Sequence, residues 1–453
     1  MTMKHRALAE RRRAVGYTQE QLAEVLGVER STVVRWEAGE TTPQPWCRPK
    51  LAEALAVSVD ELDTMLTEGQ AAGGQLLDSD TADELPDDPE HDPVLTAPWN
   101  HRGTVEVAVV LKGGGRVKRR HVVFLTGMAL TAPAHQWLIH EPGPLVSGLS
   151  GRRVSGVLAD RFPPMIAELR AMDDVAGGGT VLSLARHEFG WVAGLLDQAS
   201  YDEPTGRKLH VALAELGQLT GWAAYDAGQQ VLAQRYYIAA LRAAHTAGDR
   251  PLGAHILNWM AQQAVSEGRP AEAVTLVHTA FAGIGGGEAP RLLAELHIQQ
   301  AYALGTMQDA SGCTAAVSKA RSYVEPQDDD PPWIYSVSLA DITACAGNCL
   351  LQLGHPERAA TLLEEGIDLF DESFARDRQL FSIHLARALA HPGKQCNLDA
   401  AAARGVEAIN LAESLDSNRN MGLLRDLCHQ MTPHSKVPAV GDFLERARGL
   451  VTV

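Results

Sequence analysis

The sequence predicts an all-α protein with a small N-terminal domain of short helices and a long C-terminal region of repeated helices. A pattern of about forty residues recurs beyond Arg207, which is typical of helical repeats. Hydrophobic residues make up 45% of the chain and aromatic residues only 5%, and alanine and leucine dominate its C-terminal two thirds, which favours helices over strands. With 453 residues the chain is too long for one core and indicates two or three domains.

Charge divides the first hundred residues at the end of the first predicted domain. Residues 1–50 contain nine Lys or Arg against six Asp or Glu, whereas residues 51–100 contain no Lys or Arg and thirteen Asp or Glu. The net charge of −16 argues against nucleic acid for the whole chain, but the first fifty residues are basic. We predict a compact domain over 1–66 and an acidic flexible linker over 67–100.

Two short helices joined by a turn are predicted between residues 8 and 43. Thr18 is the expected N-cap of the first helix, and Gln21 completes a Thr-x-x-Gln capping box. Gly27 supplies the turn, and a second helix follows from about Arg30. Their apolar faces are expected to form a shared core from Leu22, Ala23, Leu26, Val28, Val33 and Trp36.

The opposite face of the second helix is polar and basic. It carries Arg30, Ser31, Thr32 and Arg35, whose hydroxyl and guanidinium groups suit contacts with base edges and phosphates in a major groove. The segment TQEQLAEVLGVERSTVVRWEAGETTP resembles the Cro and phage-repressor type helix-turn-helix, the XRE family, and the resemblance covers about the first 65 residues. It implies a lambda-repressor-like fold and double-stranded operator DNA as the partner.

The resemblance also implies a set of DNA contacts. The candidate contacts are Thr18, Gln19, Arg30, Ser31, Thr32, Arg35, Thr41 and Thr42. Arg11, Arg12 and Arg13 either strengthen nonspecific attraction to DNA or form a solvated charged run. Glu29 receives no role, because a carboxylate at the groove entrance repels phosphate unless it accepts from a cytosine amine. The alternative is a protein-binding motif that has kept this core.

Residues 101–200 are predicted to form a helical connecting region. The residues from Thr104 to Leu111 (TVEVAVVL) alternate well enough to form a strand, but we predict a helix there. Lys118 to Leu138 has a paired arginine before an apolar stretch, as an export signal has, but its place inside the chain favours a helix with a basic entry. The glycine clusters at 113–115 and 177–179 lack phosphate-loop spacing and are expected to end helices.

A repeated spacing of small and large residues defines the region 201–453. Each unit has a small residue, a glycine seven later, an alanine five later, a large apolar residue four on and a small residue three on. The units are Gly221, Gly228, Ala233, Tyr237 and Ala240; Ala261, Gly268, Ala273, Val277 and Ala280; Ala301, Gln308, Cys313, Val317 and Ala320; and Gly347, Gly354, Ala359, Leu363 and Gly366. A degraded fifth unit has Leu389, Cys396, Ala401, Gly405 and Ala408.

This spacing is typical of two antiparallel helices that pack closely where small side chains face each other. It resembles the tetratricopeptide (TPR) repeat, although the units here are 40 to 46 residues apart instead of about 34. The resemblance implies a TPR-like superhelix that serves as a sensor and dimerisation domain. The alternative is a set of unrelated alanine-rich helices.

The first helix of each unit is expected to present a ligand surface. Side chains one position after, and three before, the small packing residue give Gln218, Trp222, Asn258, Gln262 and Asn348, and Tyr225 lies nearby. Trp259 is expected either there or in the core. Amides beside an aromatic ring suit a peptide backbone or a polar small molecule, and a protein partner is the third possibility.

Catalytic and metal-binding spacings are not found. HEFGW at His187 is not HExxH, and GLSGR at Gly148 is not GxSxG, so we expect no enzyme activity, metal or cofactor. Six sparse cysteines suggest a reducing cytosol, and Cys345 and Cys349 are expected to be buried packing residues and not a redox pair. No secretory signal or membrane span is expected, which predicts a cytoplasmic protein, associated with the nucleoid when bound to DNA.

The combination of these parts resembles actinomycete regulators of development and secondary metabolism, and more loosely the peptide-responsive quorum-sensing regulators. The phrases LTGWAAYDAG and AHILNWMAQQA carry the closest resemblance. It implies a homodimeric, sequence-specific transcription regulator whose operator binding responds to a ligand or partner. The competing hypothesis is a TPR adaptor whose main role is to bind another protein.

Overall fold

The protein is described by a computed structural model. It describes residues 11–12, 15, 17–26, 28, 30–37, 43, 47–55, 57, 92–113, 124–143, 151–285, 289–326, 330–393 and 396–450. They belong to two compact units, Met1–Leu85 and Pro86–Val453. In these ranges the one β-type pairing is an isolated bridge between Arg153 and Ser200, so the predicted all-α class is confirmed. None of the described helices has the length and apolar character needed to span a membrane.

Among its described residues, the N-terminal unit has three short helices around a small core. They are Gln19–Leu26 (α1), Arg30–Glu37 (α2) and Arg48–Ala54 (α3). The core predicted for α1 and α2 is confirmed, with Val28 partly buried at its edge, and it is extended by Cys47, Leu51, Ala52 and Leu55. Because this core is small, each apolar side chain in it contributes a large share of the unit's stability.

The second unit is a succession of helices. Before the repeats they are Pro93–Thr96 (α4), His101–Lys112 (α5), Met128–Ile139 (α6), Gly156–Ala159 (α7), Phe162–Ala176 (α8) and Gly178–Gln198 (α9). From there they are Glu203–Asp226 (α10), Gln230–Ala247 (α11), Arg250–Ser266 (α12), Pro270–Ile284 (α13), Pro290–Thr306 (α14), Ala310–Tyr323 (α15), Leu339–Gln352 (α16), Pro356–Leu369 (α17), Ala375–Leu389 (α18), Leu398–Ala412 (α19), Asn418–Met431 (α20) and Pro438–Ala447 (α21).

From α10 to α19 the helices pack in consecutive pairs, and the repeated small residues lie where the two helices of a pair meet. A Cβ added at Gly221 of α10 would lie 2.6 Å from Cδ1 of Tyr237 on α11. In the pair α16 and α17, a Cβ added at Gly347 would lie 2.8 Å from Cγ of Leu363. The small residue therefore makes room for the large residue sixteen positions later, as its spacing suggests.

In the first four pairs, the turn between the two helices contains a left-handed residue. Gly228, Gly268 and Gly354 have φ of 78°, 72° and 75° at this point. Gln308, where the sequence departs from glycine, also has a positive φ of 63°. Its side chain donates from Nε2 to the carbonyl oxygen of Gln352 at 3.0 Å, so a bond to the next pair accompanies the unfavourable backbone conformation.

The fourth unit follows the third after 46 residues instead of 40 because of an added segment. Between α15 and α16 the chain makes a 3-10 turn at Pro332–Ile334, with Trp333 and Ile334 buried. Arg291 of α14 donates from Nε to the carbonyl oxygen of Val337 at 2.9 Å. The longer spacing therefore reflects an added segment whose described end, residues 330–338, is bonded to the preceding pair.

The predicted linker boundary at residue 100 is wrong. Asp92 caps α4 through the amide of Val94 and pairs with Arg235 of α11, with 2.6 Å between Arg235 Nη1 and Asp92 Oδ2. Val94 and Ala97 are buried in the core of the large unit. The sequence could not reveal this, because the partners of these residues lie more than 140 positions away. The linker residues 67–91 lie outside the described residues.

The region predicted as a connector, 101–200, belongs to the same core as the repeats. The helix predicted over Thr104 to Leu111 is confirmed as part of α5. Of Lys118 to Leu138, residues 118–123 lie outside the described residues, and α6 forms most of the remainder. Trp137 of α6 is buried against Gly253 and Gly283, where any side chain would collide with its ring. Gly113 and Gly177 end α5 and α8, as predicted.

Candidate functional site

Thr18 and Gln21 form the predicted capping box at the start of α1. The Thr18 hydroxyl oxygen accepts from the Gln21 amide at 3.1 Å, and the Thr18 amide donates to Gln21 Oε1 at 2.9 Å. The backbone N–H groups of Thr18 and Gln21, at the start of the helix, thereby each have a hydrogen-bond acceptor. Thr18 thus has a structural role in positioning α1, whatever contact it makes beyond the protein.

A buried ion pair joins the segment before α1 to the end of α2. Arg12 Nε lies 2.6 Å from Oε1 of Glu37, and both side chains are buried. Gln19 donates from Nε2 to the other carboxylate oxygen of Glu37 at 2.6 Å. Arg12 is therefore neither a solvated charge nor a free DNA contact. Arg11 donates from Nε to the carbonyl oxygen of Leu55, and Arg13 lies outside the described residues.

The outward face of α2 has the predicted composition. Arg30, Ser31 and Arg35 are exposed and Thr32 is half-buried, whereas Val33 and Trp36 face the core. Arg35 Nε lies 3.4 Å from the carbonyl oxygen of Ser31, one turn earlier on the same face. Guanidinium and hydroxyl groups can therefore reach a partner together from one side of the helix. Thr41 and Thr42 lie outside the described residues.

Four of the predicted ligand residues line one cavity in the second unit, which we name the inner cavity. It has a volume of about 130 Å³. It is lined by the predicted residues Gln218, Trp222, Asn258 and Gln262, together with Trp259. Asn258 is buried, and its Oδ1 has no hydrogen-bond partner. A buried acceptor without a partner is costly unless a ligand or water satisfies it.

The other two predicted residues lie on a neighbouring groove. Tyr225 and Asn348 line this wider space of about 740 Å³, and Gln262 borders both it and the inner cavity. Tyr302, the third-unit counterpart of Trp222 and Gln262, also borders both. The placement rule that selected the first residues thus also gives Tyr302, which our sequence analysis did not name.

Trp222 is fixed by charged groups that come from helices distant in sequence. Its Nε1 donates to Asp173 Oδ2 at 2.8 Å, and the guanidinium groups of Arg376 and Arg419 lie 4.9 and 5.0 Å from the centre of its ring. Arg376 pairs with Asp173 and with Asp174, from Nη2 to Oδ1 at 2.9 Å in the latter case. These groups hold the tryptophan in place by hydrogen bonding and cation–π attraction.

A row of ionisable residues was missed by the sequence analysis. Glu215, His255, Glu295 and Asp341 each stand six positions before the small packing residue of their unit. Glu215 pairs with Arg170 at 2.9 Å, and His255 Nδ1 lies 2.8 Å from Glu295 Oε2. The signal was present in the sequence, since these residues recur with the repeat spacing of 40, 40 and 46.

Asp341 differs from the other members of this row. Burial raises the pKa of its carboxyl to about 7, and the nearby carboxyls of Asp377 and Glu295 add to the effect. It accepts a hydrogen bond from the Cys345 thiol, with 3.4 Å between Sγ and Oδ1. Cys345 and Cys349 are both buried in α16, in agreement with the packing role expected for them.

Comparison with known proteins identifies the N-terminal unit. Residues 6–65 match the family described as helix-turn-helix domain. The chain has an N-terminal helix-turn-helix domain. A partial match is the cryptic phage CTXphi transcriptional repressor RstR of Vibrio cholerae serotype O1, 39% identical over 62 residues, which are 14% of this chain and 54% of that protein. The chain thus spans about half the length of this curated relative. No solved structure matches the chain.

Within the helix-turn-helix domain, α1 and α2 are the two helices of the motif. The bonds from Arg12 and Gln19 to Glu37 hold the segment before α1 and the start of α1 to the end of α2. Sequence reasoning assigned Gln19 to DNA and missed this arrangement, because nothing local links Arg12 to a residue 25 positions later. In the described part of the chain, no group of three or more His, Cys, Asp or Glu is placed to hold a metal ion.

Proposed function

We propose that the protein is a transcription regulator that binds operator DNA through its helix-turn-helix domain. The observation that carries this proposal is the family match over residues 6–65, together with the exposed polar face of α2. The similarity to a protein named as a transcriptional repressor supports the same class of activity. We assign the protein no catalytic role, and we place it in the cytoplasm, at the nucleoid when bound to DNA.

Binding to DNA is proposed to occur through α2 in the major groove. Arg35 and Arg30 have the length and charge to reach guanine edges or phosphates, and Ser31 and Thr32 add hydroxyl groups to the same surface. Thr18 and Gln19 stay candidate DNA contacts at the start of α1, and Thr41 and Thr42, which lie outside the described residues, stay candidates from the resemblance of the sequence. One such domain reads half a site, so we propose that a homodimer binds two half-sites about one helical turn apart.

The second unit is proposed to act as a TPR-like sensor and dimerisation domain. The consecutive helix pairs, the left-handed residue inside the first four pairs and the contact of small with large residues support a TPR-like arrangement. We further propose that a ligand or partner on its inner surface favours one of two dimer arrangements and so changes operator binding. The proposal that the protein controls development or secondary metabolism rests on the resemblance of its sequence to actinomycete regulators of these processes.

Selection of DNA by the full-length protein tests this function. Genomic fragments are incubated with the purified protein, bound fragments are sequenced, and affinity for the enriched site is measured over a range of salt concentrations. A regulator is expected to enrich a pseudo-palindromic site and to lose affinity linearly on a logarithmic salt scale. No enriched site, together with capture of a defined protein, would instead support the adaptor hypothesis.

A further inference from the structure

We propose that the inner cavity binds a small organic cation, an ammonium-bearing molecule of about six heavy atoms, next to Glu295 and Asp341. This inference deepens the ligand response in the proposed function and rests on that part of it. It gives the ligand a chemical class, which the amides found from the sequence alone did not. The charge of the cavity, its buried acceptor, its aromatic lining and its size all favour this class of ligand.

Carboxyl groups outnumber cationic groups in and around the inner cavity. The inner cavity is lined by Asp173, Glu295, Asp341 and Asp377, and their neighbours Asp174, Glu215 and Asp226 pair with arginines of the same lining. Against these seven carboxyls stand the three guanidinium groups of Arg170, Arg376 and Arg419, and the imidazole of His255. Even with His255 charged, the carboxyls outnumber the cations by three. Above the raised pKa of about 7 of the Asp341 carboxyl, a low-dielectric site with this surplus of carboxylates attracts a cation.

Two of the three surplus carboxyls belong to the group of Asp173, Asp174 and Asp377, which share Arg376, and the third lies at one end of the row of ionisable residues. Glu215 is neutralised by Arg170, and Glu295 has only the imidazole of His255. Asp341, one unit further along, accepts from a thiol, and no ion pair is found for it among the described residues. Asp341, the carboxyl of this row without an ion-pair partner among the described residues, therefore lies near Glu295 between α14 and α16. The two residues occupy equivalent positions of consecutive units.

The cavity also contains hydrogen-bonding groups that the protein does not satisfy. Asn258 has an unpartnered Oδ1, which can accept from an ammonium group, and it is only 4% exposed. Gln299, which is 3% exposed, has an unpartnered Nε2, which can donate to an oxygen of the same ligand. A molecule with one ammonium and one hydroxyl group would satisfy both amides.

The aromatic walls and the volume narrow the class further. Trp259 and Trp333 line the cavity beside Trp222, whose ring already has the guanidinium groups of Arg376 and Arg419 against it, and indole rings attract organic cations through their faces. The volume of about 130 Å³ is similar to that of cavities that hold one benzene molecule. An extended peptide is too large for this space, so we assign the inner cavity to a small molecule.

Three four-carbon probes that differ in the group at one end of the chain, and hence in charge, test the inference. Butanolamine, butanediol and hydroxybutyrate each have a terminal hydroxyl, and their other end is cationic, neutral or anionic. Binding to the full-length protein is measured by calorimetry and by the shift in melting temperature at about pH 8, where the Asp341 carboxyl is mostly ionised. We expect butanolamine to bind and to raise the melting temperature, and the other two to do neither.

Variants at the site make the test specific. Asp341→Asn and Glu295→Gln are each expected to weaken butanolamine binding on the order of tenfold, the effect of losing one charged hydrogen-bond acceptor. Asp368→Asn, a matched change of an exposed carboxyl on α17, is expected to leave binding unchanged. Circular dichroism establishes that each variant is folded, and having two variants keeps the test valid if one is not.

Three results would overturn the inference: binding of hydroxybutyrate in preference to butanolamine, binding of none of the probes, or equal butanolamine binding by wild type and both variants. Operator binding by the same preparations without probe separates this failure from failure of the proposed function. If operator binding persists while no probe binds, the ligand class is wrong and the DNA-binding function stands. If no operator is bound, the proposed function fails, whatever the probes do.

Discussion

At the scale of single residues, surface position and burial divide the arginines of the helix-turn-helix domain into two kinds. Arg12 is held by Glu37 inside the domain, whereas Arg35 is exposed on α2. A substitution of Arg12 leaves a buried carboxylate without its partner and is therefore a change of stability. A substitution of Arg35 is instead a change of surface chemistry.

Arg35→Ala is expected to weaken binding to the selected operator without unfolding the domain. A guanidinium that reads a base contributes ~1 to 3 kcal/mol of discrimination, and its removal should lower specificity as well as affinity. Arg35→Lys keeps the positive charge and loses the bidentate hydrogen bonding of the guanidinium. It therefore separates base recognition from attraction to phosphate. Fluorescence anisotropy on operator and on scrambled DNA measures both effects. Unchanged operator affinity in Arg35→Ala would exclude this residue from the DNA contacts.

Asp341 is expected to make stability depend on pH. Its pKa is raised from 3.8 to about 7 in the folded protein, so between these values the folded state binds more protons than the unfolded state. The contribution of Asp341 to the free energy of unfolding should therefore decrease as pH rises through this range, by at most ~1.4 kcal/mol per pH unit. Asp341→Asn should reduce this slope, as measured by urea unfolding. The same slope in both proteins would show that the carboxyl does not titrate abnormally.

At the scale of helices and turns, the left-handed residue inside each of the first four pairs is a position where a substitution can raise or lower stability. Gly268 has φ of 72° and nothing close to where a Cβ would stand. Gln308 adopts a similar conformation with a side chain and a Cβ. The two positions therefore predict changes of opposite sign.

Gly268→Ala is expected to destabilise the second unit by about 1 kcal/mol, because alanine disfavours a positive φ. Gln308→Gly is expected to stabilise it by less, since the bond from the Gln308 amide to Gln352 is lost. Gln308→Ala loses the bond and keeps the Cβ, so it isolates the backbone effect and should be the least stable of the variants at 308. Chemical denaturation gives all three values. Equal stability of the alanine and glycine variants at 308 would contradict the argument.

Local patterns explain how much of the fold could be predicted from the sequence. The capping box at Thr18 and the contact of Gly221 with Tyr237 depend on residues three and sixteen positions apart, within reach of spacing arguments. The packing of α4 on α11 depends on Arg235 and Asp92, which are 143 positions apart and carry no periodic signal. The linker boundary was therefore wrong, while the small residues of the repeated spacing do lie where two paired helices meet.

The candidate ligand site shows the same division. The rule for inner-surface positions found Gln218 and Asn258, because each unit repeats the same geometry. The ionic setting of Trp222 was not predictable, because Asp173 and Arg376 reach the cavity from α8 and α18, more than two hundred residues apart. Short-range spacing thus identified the amides of the site and gave no information on its charge.

At the scale of the whole molecule, we expect the second unit to provide most of the dimer interface. The core of the helix-turn-helix domain is small, and its polar α2 face is proposed to contact DNA. A stable interface buries about 1,200 to 2,000 Å², which the larger unit can supply. Light scattering at micromolar concentration should show dimers for the full-length protein and for residues 86–453. A monomeric fragment beside a dimeric full-length protein would place the interface in the N-terminal unit.

The contact of Arg376 with Asp173 and Asp174 has a consequence for how the protein can evolve. Arrays of helical repeats commonly change in length by duplication or loss of a unit, since each unit touches only its neighbours. Here α8, which precedes the repeats, is joined to α18, near their end, by buried charges. An extra unit between them would separate these charges and leave them unpaired. Descendants of this gene are therefore expected to keep the number of repeats constant and to diverge by substitution within them.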